Sequence, residues 1–161
     1  MRRLSGMVLA GAMLMLPAFS LTGHAQEAAA QQPAAAAPPK TTYTGDAVIV
    51  MYAANPGKDA DYEKVIATLM GALAKSTAPE AKQQLAGWKV MKNAQPQPDG
   101  SLVYIHIISP VVPEADYSIT NIVYDVVKDP TEQKTFYDQY RGAVKAALFM
   151  IQGPLTADFG K

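Results

Sequence analysis

The chain has 161 residues, with 14 basic and 14 acidic side chains, and no cysteine at all. A charge balance near zero with no basic stripe argues against a nucleic-acid partner. The missing cysteines exclude disulfides and thiolate metal sites, so a hydrophobic core alone must hold the fold.

Met1-Arg2-Arg3 is a short basic start, and Met7 to Phe19 is almost wholly apolar, broken by Gly11 and Pro17. Gly23 and Ala25 then place small residues at a cleavage-type exit. Basic start, short apolar core and small-residue exit are the three parts of a secretory signal peptide, expected here over 1–25. The apolar core is shorter than the ~20 residues that a spanning helix needs. An uncleaved N-terminal anchor is the alternative, and the Arg pair alone is weak support for a twin-arginine signal. The expected location is therefore periplasmic or secreted, with no membrane span after cleavage. Loss of Arg2 and Arg3 leaves 12 basic residues against 14 acidic ones.

Residues 26–44 begin with QEAAAQQPAAAAPPK, which has almost no large apolar side chain. Such a segment cannot bury enough surface to offset its ordering entropy, and Pro33, Pro38 and Pro39 interrupt any helix. It reads as a disordered linker. Residues 45–161 remain for one domain.

DAVIVMYAA, 46–54, is apolar, β-branched and bounded by glycine and Pro-Gly, which predicts a strand. From Asp59 the stripe Tyr62, Val65, Ile66, Leu69, Met70 and Leu73 steps by three and four, which predicts an amphipathic helix. Asp59 and Asp61 suit the positive end of its dipole. Thr77-Ala78-Pro79 ends it, and a short helical piece covers Lys82 to Leu85. GWKVMKNA, 87–94, and SLVYIHIIS, 101–109, are two strands joined by a turn-rich loop. Ile119, Ile122, Val123, Val126 and Val127 step as a helix. Asp129-Pro130-Thr131-Glu132 is a strong helix start, with the acid as N-cap and proline at the first position. Phe136, Tyr140, Val144, Ala147, Leu148 and Ile151 extend one face of that helix to Gly153-Pro154, and LTADF, 155–159, is a candidate last strand.

This order predicts an α+β domain: a ferredoxin-like antiparallel sheet with helices on one face. Both faces of the predicted strands are apolar, and helices cover only one. A second copy of the sheet is the simplest cover for the other, so a homodimer is expected.

A strand ending in Pro56-Gly57-Lys58-Asp59-Ala60-Asp61-Tyr62-Glu63 before a long helix, with Gly87-Trp88-Lys89-Val90 opening the next strand, resembles the dimeric α/β-barrel superfamily. Its members include the antibiotic-biosynthesis-monooxygenase-type proteins, which the pattern resembles. The resemblance covers roughly 46–109 and implies a dimeric α/β barrel. It leaves activity open, because the superfamily spans oxygenases, heme proteins and others. The heme members use a helix-borne histidine, and no predicted helix here carries one.

NPGKDADYEK itself is a corner and a helix start rather than a ligand loop. Pro56 lacks a donor, only Gly57 is free to take positive φ, and the acidic residues would repel an anion. His106 is the only histidine after the signal and shares a strand face with Leu102, Tyr104 and Ile108. Its candidate roles are general base, metal ligand or ligand contact, against an inert, hydrogen-bonded core histidine. No HxH or HExxH pattern accompanies it, and neither a metal nor a cofactor is expected. Trp88 opens the neighbouring strand, as a cavity wall or as a plain core aromatic. Tyr117, Tyr124, Tyr137 and Tyr140 are explained by packing, and Arg141 by a surface ion pair. The helix-packed face is expected to be the uniformly aliphatic one, with Val103, Ile105 and Ile107. His106 and Tyr104 are then expected to face a dimer cavity.

Two functions from different classes follow. One is a noncatalytic homodimer that binds a small apolar molecule between its sheets, with Trp88, Tyr104 and His106 as ligand contacts. The other is a cofactor-independent, monooxygenase-like enzyme with His106 and Tyr104 as candidate catalytic residues and a small organic substrate.

Overall fold

The computed structural model describes residues 38–159. The signal-peptide reading and most of the linker reading fall outside them. The elements are β1 (Ala47–Ala54), α1 (Asp59–Lys75), α2 (Ala81–Gly87), β2 (Trp88–Lys92), β3 (Leu102–Ile108), α3 (Ile119–Val126), α4 (Pro130–Ala143) and β4 (Val144–Gly153). The strands form one open antiparallel sheet in the order β2-β3-β1-β4. The α+β class is therefore as expected, and the arrangement is compatible with a ferredoxin-like domain. No helix among the described residues is long and apolar enough to cross a membrane.

Local chemistry accounts for the first half. Gly57 takes φ +71 after Pro56, and the Lys58 amide donates to the Asn55 carbonyl at 3.0 Å, which closes the corner into α1. The charges of that corner pair within the protein: Lys58 with Asp61, and Lys92 with both Asp59 and Glu63. NPGKDADYEK is a turn and a helix start, as its composition indicates. Gly45, at φ +90, lies so close to Gly153 that a Cβ would come within 2.7 Å of its carbonyl, so the start of β1 and the end of β4 meet as bare backbone.

The second half holds a correction. The stripe through Val144, Ala147, Leu148 and Ile151 does not continue α4. The helix starts as predicted, with the Asp129 carboxylate accepting from the Thr131 and Glu132 amides at 2.8 and 2.9 Å. It stops at Ala143, where Asn55 meets its last carbonyls: the Asn55 amide donates to Ala143 and its side-chain amide to Gly142, both at 2.8 Å. That cap comes from the end of β1, which hands the chain to the open edge of β1 itself. Residues 144–153 pair there as β4, and 155–159 form no strand. Pairing with β1 overrides a weak helical pattern.

Strand alternation and register sort the sheet into two faces. Val48, Val50, Tyr52 and Ala54 share one face with their β3 partners Ile108, His106, Tyr104 and Leu102, and with Trp88, Val90 and Lys92 of β2. The helices cover this face over β1, β2 and β3, whereas at the β4 edge Met150, opposite Val50, is 52% exposed. Tyr62 and Ile66 of α1 pack on Ala54, Tyr104 and Val90. A helix-layer core of Val65, Leu69, Leu73, Ile122, Val123 and Phe136 lies above, with Trp88 packed against it. Ile49, Met51, Ile105, Ile107 and Met91 share the opposite face with Phe149 and Ile151 of β4. No described helix covers it. Among the described residues only its far end is closed: Ala53 and Val103 are buried where the 97–101 loop is pinned by the Lys145–Asp99 ion pair.

Residues 38–44, assigned from sequence to the linker, run along the domain. Thr41 exchanges backbone and side-chain bonds with Tyr117 and Asp116, and the Tyr43 ring lies 5.1 Å from that of Tyr117.

Candidate functional site

The fold brings Trp88, Tyr104 and His106 together, but on the covered face. His106 is 1% exposed and sits under α1. The expectation that His106 and Tyr104 look away from the helices is thus reversed. The uniformly aliphatic residues Ile105 and Ile107 are the ones that face outward. The reason is Tyr62, which the helical stripe placed on the inner side of α1. Its hydroxyl lies 2.8 Å from His106 Nε2, so the helix supplies the polar partner that a buried imidazole needs.

The Trp88 indole N–H donates to His106 Nδ1 at 3.0 Å. Indole nitrogen is a donor only, so Nδ1 accepts and the neutral ring carries its proton on Nε2. That N–H donates to the Tyr62 oxygen. Protonating Nδ1 would set two donors against each other, in a pocket that already disfavours charge. Burial pushes the His106 pKa down to about 4, and the ring is neutral at pH 7.

The surroundings are aromatic. The His106 ring meets Tyr52 edge-on at 5.1 Å and Trp88 at 5.8 Å, and Tyr62 meets Tyr104 at 4.4 Å. Burial raises the phenol pKa values of Tyr52 and Tyr62. Tyr104 donates its hydroxyl to Glu63 Oε1 at 3.0 Å, and burial followed by that bond raises its pKa to about 12. The same Glu63 oxygen accepts from Lys92, whose own pKa the Glu63 and Asp59 carboxylates raise. At neutral pH the cluster therefore holds a neutral imidazole and neutral phenols, with the one ion-paired group at its edge.

Both His106 nitrogens and the Tyr104 hydroxyl are thus engaged by protein groups. Among the described residues no group of three or more His, Asp or Glu side chains stands together as a metal-ligand set. Trp88 alone of the three reaches an opening. Its outer side lines a groove of about 350 Å³ with Ile66, Leu69, Met70, Leu73, Leu85, Lys89 and Val90. Two features escaped sequence reasoning: Tyr62 as the histidine's partner, and this groove along β2. The inward stripe of α1 was the signal for the first. The second depends on how far α1 stands from the strand, which no local pattern encodes.

Comparison of the chain with family models, with curated proteins and with solved structures returned no match.

Proposed function

We propose that the chain is an exported homodimer that packs the open faces of two ferredoxin-like sheets into a dimeric α/β barrel and holds a small apolar molecule between them. The carrying observation is an apolar face that no described element covers. Phe149 and Ile151 are 53% and 55% exposed, Met91 is 50% exposed, and Ile49, Met51, Ile105 and Ile107 extend the same surface across the sheet. A contiguous apolar patch of this kind marks an interface or an aggregation hazard. Aliphatic side chains with no directional partners suit a self-complementary contact. The strand order and directions support the ferredoxin-like reading. The ligand in this arrangement meets Ile49, Met51, Ile105 and Ile107, while Trp88, Tyr104 and His106 stiffen the sheet from behind. Binding is favoured over catalysis because the cluster's acid–base atoms are already bonded within the protein.

Sedimentation of residues 26–161 tests the reading and is expected to give twice the protomer mass, falling to the protomer mass in Ile107→Lys. Mass spectrometry of the protein purified from the cell envelope should recover a retained apolar compound, lost in the same variant. A protein that sediments as a monomer at micromolar concentration sinks the proposal. Intact mass near that of a chain starting at Gln26 tests export.

A further inference from the structure

The groove beside Trp88 follows an unpaired strand edge. Among the described residues β2 is the last strand of the sheet and has a neighbour on one side only. The Ser109 amide donates to the Gly87 carbonyl and the Asn93 amide to the Val103 carbonyl. Gly87–Ser109 and Asn93–Val103 are therefore hydrogen-bonded pairs, and alternation along an antiparallel ladder assigns Lys89 and Met91 to β3 as well. The backbone groups of Trp88, Val90 and Lys92 point the other way. The Trp88 amide is used by the Gln84 carbonyl at the end of α2. The Trp88 carbonyl and both Val90 groups face the open edge.

α1 runs alongside this edge in the opposite direction. Its start is held to the end of β2 by Lys92 with Asp59 and Glu63, and its later turns stand over the beginning of β2, where Leu73 and Leu85 flank Trp88. The result is a trough parallel to β2. One wall is apolar helix and the other is a row of backbone donors and acceptors. Met70, more than half exposed, forms part of the helical wall. A trough of this form fits an extended chain that adds a strand to β2 and lays alternate side chains into the groove.

Charge narrows the choice. On an added strand the residues between the apolar ones point to the other face, where Lys89 is exposed on the outermost strand, at the rim of the open apolar surface, and opposite charges across neighbouring strands attract. The chain's own long apolar edge strand, VKAALFMIQG in β4, has no acidic residue to meet Lys89. We infer that the β2 edge and the Trp88 groove together form a docking site for an extended peptide segment that alternates apolar and acidic residues.

The test uses a blocked heptapeptide of alternating Leu and Glu, with a scrambled peptide of the same composition as control. Trp88 is the only tryptophan, so its fluorescence reports occupancy directly. The alternating peptide should shift that emission and slow hydrogen exchange at the Val90 amide, and the scrambled peptide should do neither. Met70→Glu should weaken binding about tenfold or more. Val90→Pro should weaken it similarly, because it removes an outward amide and leaves the β3 ladder intact. Lys89→Glu should reverse the preference toward a Leu/Lys alternating peptide. Equal binding of the scrambled peptide, an unprotected Val90 amide, or a Met70→Glu variant that binds as well as the parent overturns the inference.

Discussion

The two faces of this sheet are built from similar strands and solve different problems. The covered face carries the demanding residues, Tyr52, Trp88, Tyr104 and His106, and the open face carries Ile49, Met51, Ile105 and Ile107. Water or a ligand is the natural company for an exposed histidine or tyrosine. The structure shows the opposite arrangement, because a directional group can be buried when a fixed partner is available. Tyr62 and Glu63 on α1 are such partners, and no buried side-chain polar atom among the described residues lacks a hydrogen bond. Aliphatic groups ask for nothing directional, which suits the open face to the second copy proposed above.

The sharpest contrast is between Leu73 and Ile107. Leu73 is 2% exposed in the helix layer. Leu73→Ala should cost about 2–5 kcal/mol in urea unfolding, and Ile107→Ala measured on a dilute, monomeric sample about 1 kcal/mol or less. Equal losses would mean that the open face is already covered within the protomer.

Acid should unsettle the covered face first. The folded His106 pKa of about 4 lies below its unfolded value of 6.5, so the folded state binds fewer protons in between. Its contribution is complete above pH 6.5 and is lost as pH falls through that window, on the order of 3 kcal/mol by pH 4. Because carboxylates also titrate, the measurement is the difference between the parent and His106→Gln over pH 4–7. Parallel stability profiles would show that His106 is solvated.

At neutral pH, His106→Gln should itself destabilise by about 1–3 kcal/mol, since Trp88 and Tyr62 lose their shared partner. A melting temperature unchanged by this substitution would restore His106 to an open cavity. Tyr62→Phe is the smallest step, about 1 kcal/mol, and should raise the His106 exchange rate seen by NMR without altering oligomeric mass.

Much of the fold was legible in the sequence because its signals are local. The Pro56-Gly57 corner, the α1 stripe and the Asp129 cap act within a few residues of themselves. β4 was not legible, because what ends α4 at Ala143 is Asn55, far away in sequence, and what extends the next residues is the free edge of β1. The alternation of β3 correctly grouped His106 with Tyr104 and Ile108. It could not say which side α1 would take, since both faces are apolar enough to receive a helix. Sequence alone offers Trp88 as a cavity wall or a plain core aromatic, and its groove exists only where α1 and β2 lie side by side.

The segment ahead of β1 also sets how the domain would bear load. The Thr41 amide donates to Asp116, the Tyr117 amide to the Thr41 carbonyl, and the Asn121 side-chain amide to the Pro39 carbonyl. Tension applied at residue 38 therefore reaches the stretch just before α3 and the first turn of that helix. β1 feels the pull only after those three bonds have given way. The central strand of the sheet is in this way mechanically decoupled from whatever lies upstream, as a rope tied off on a cleat spares the mast.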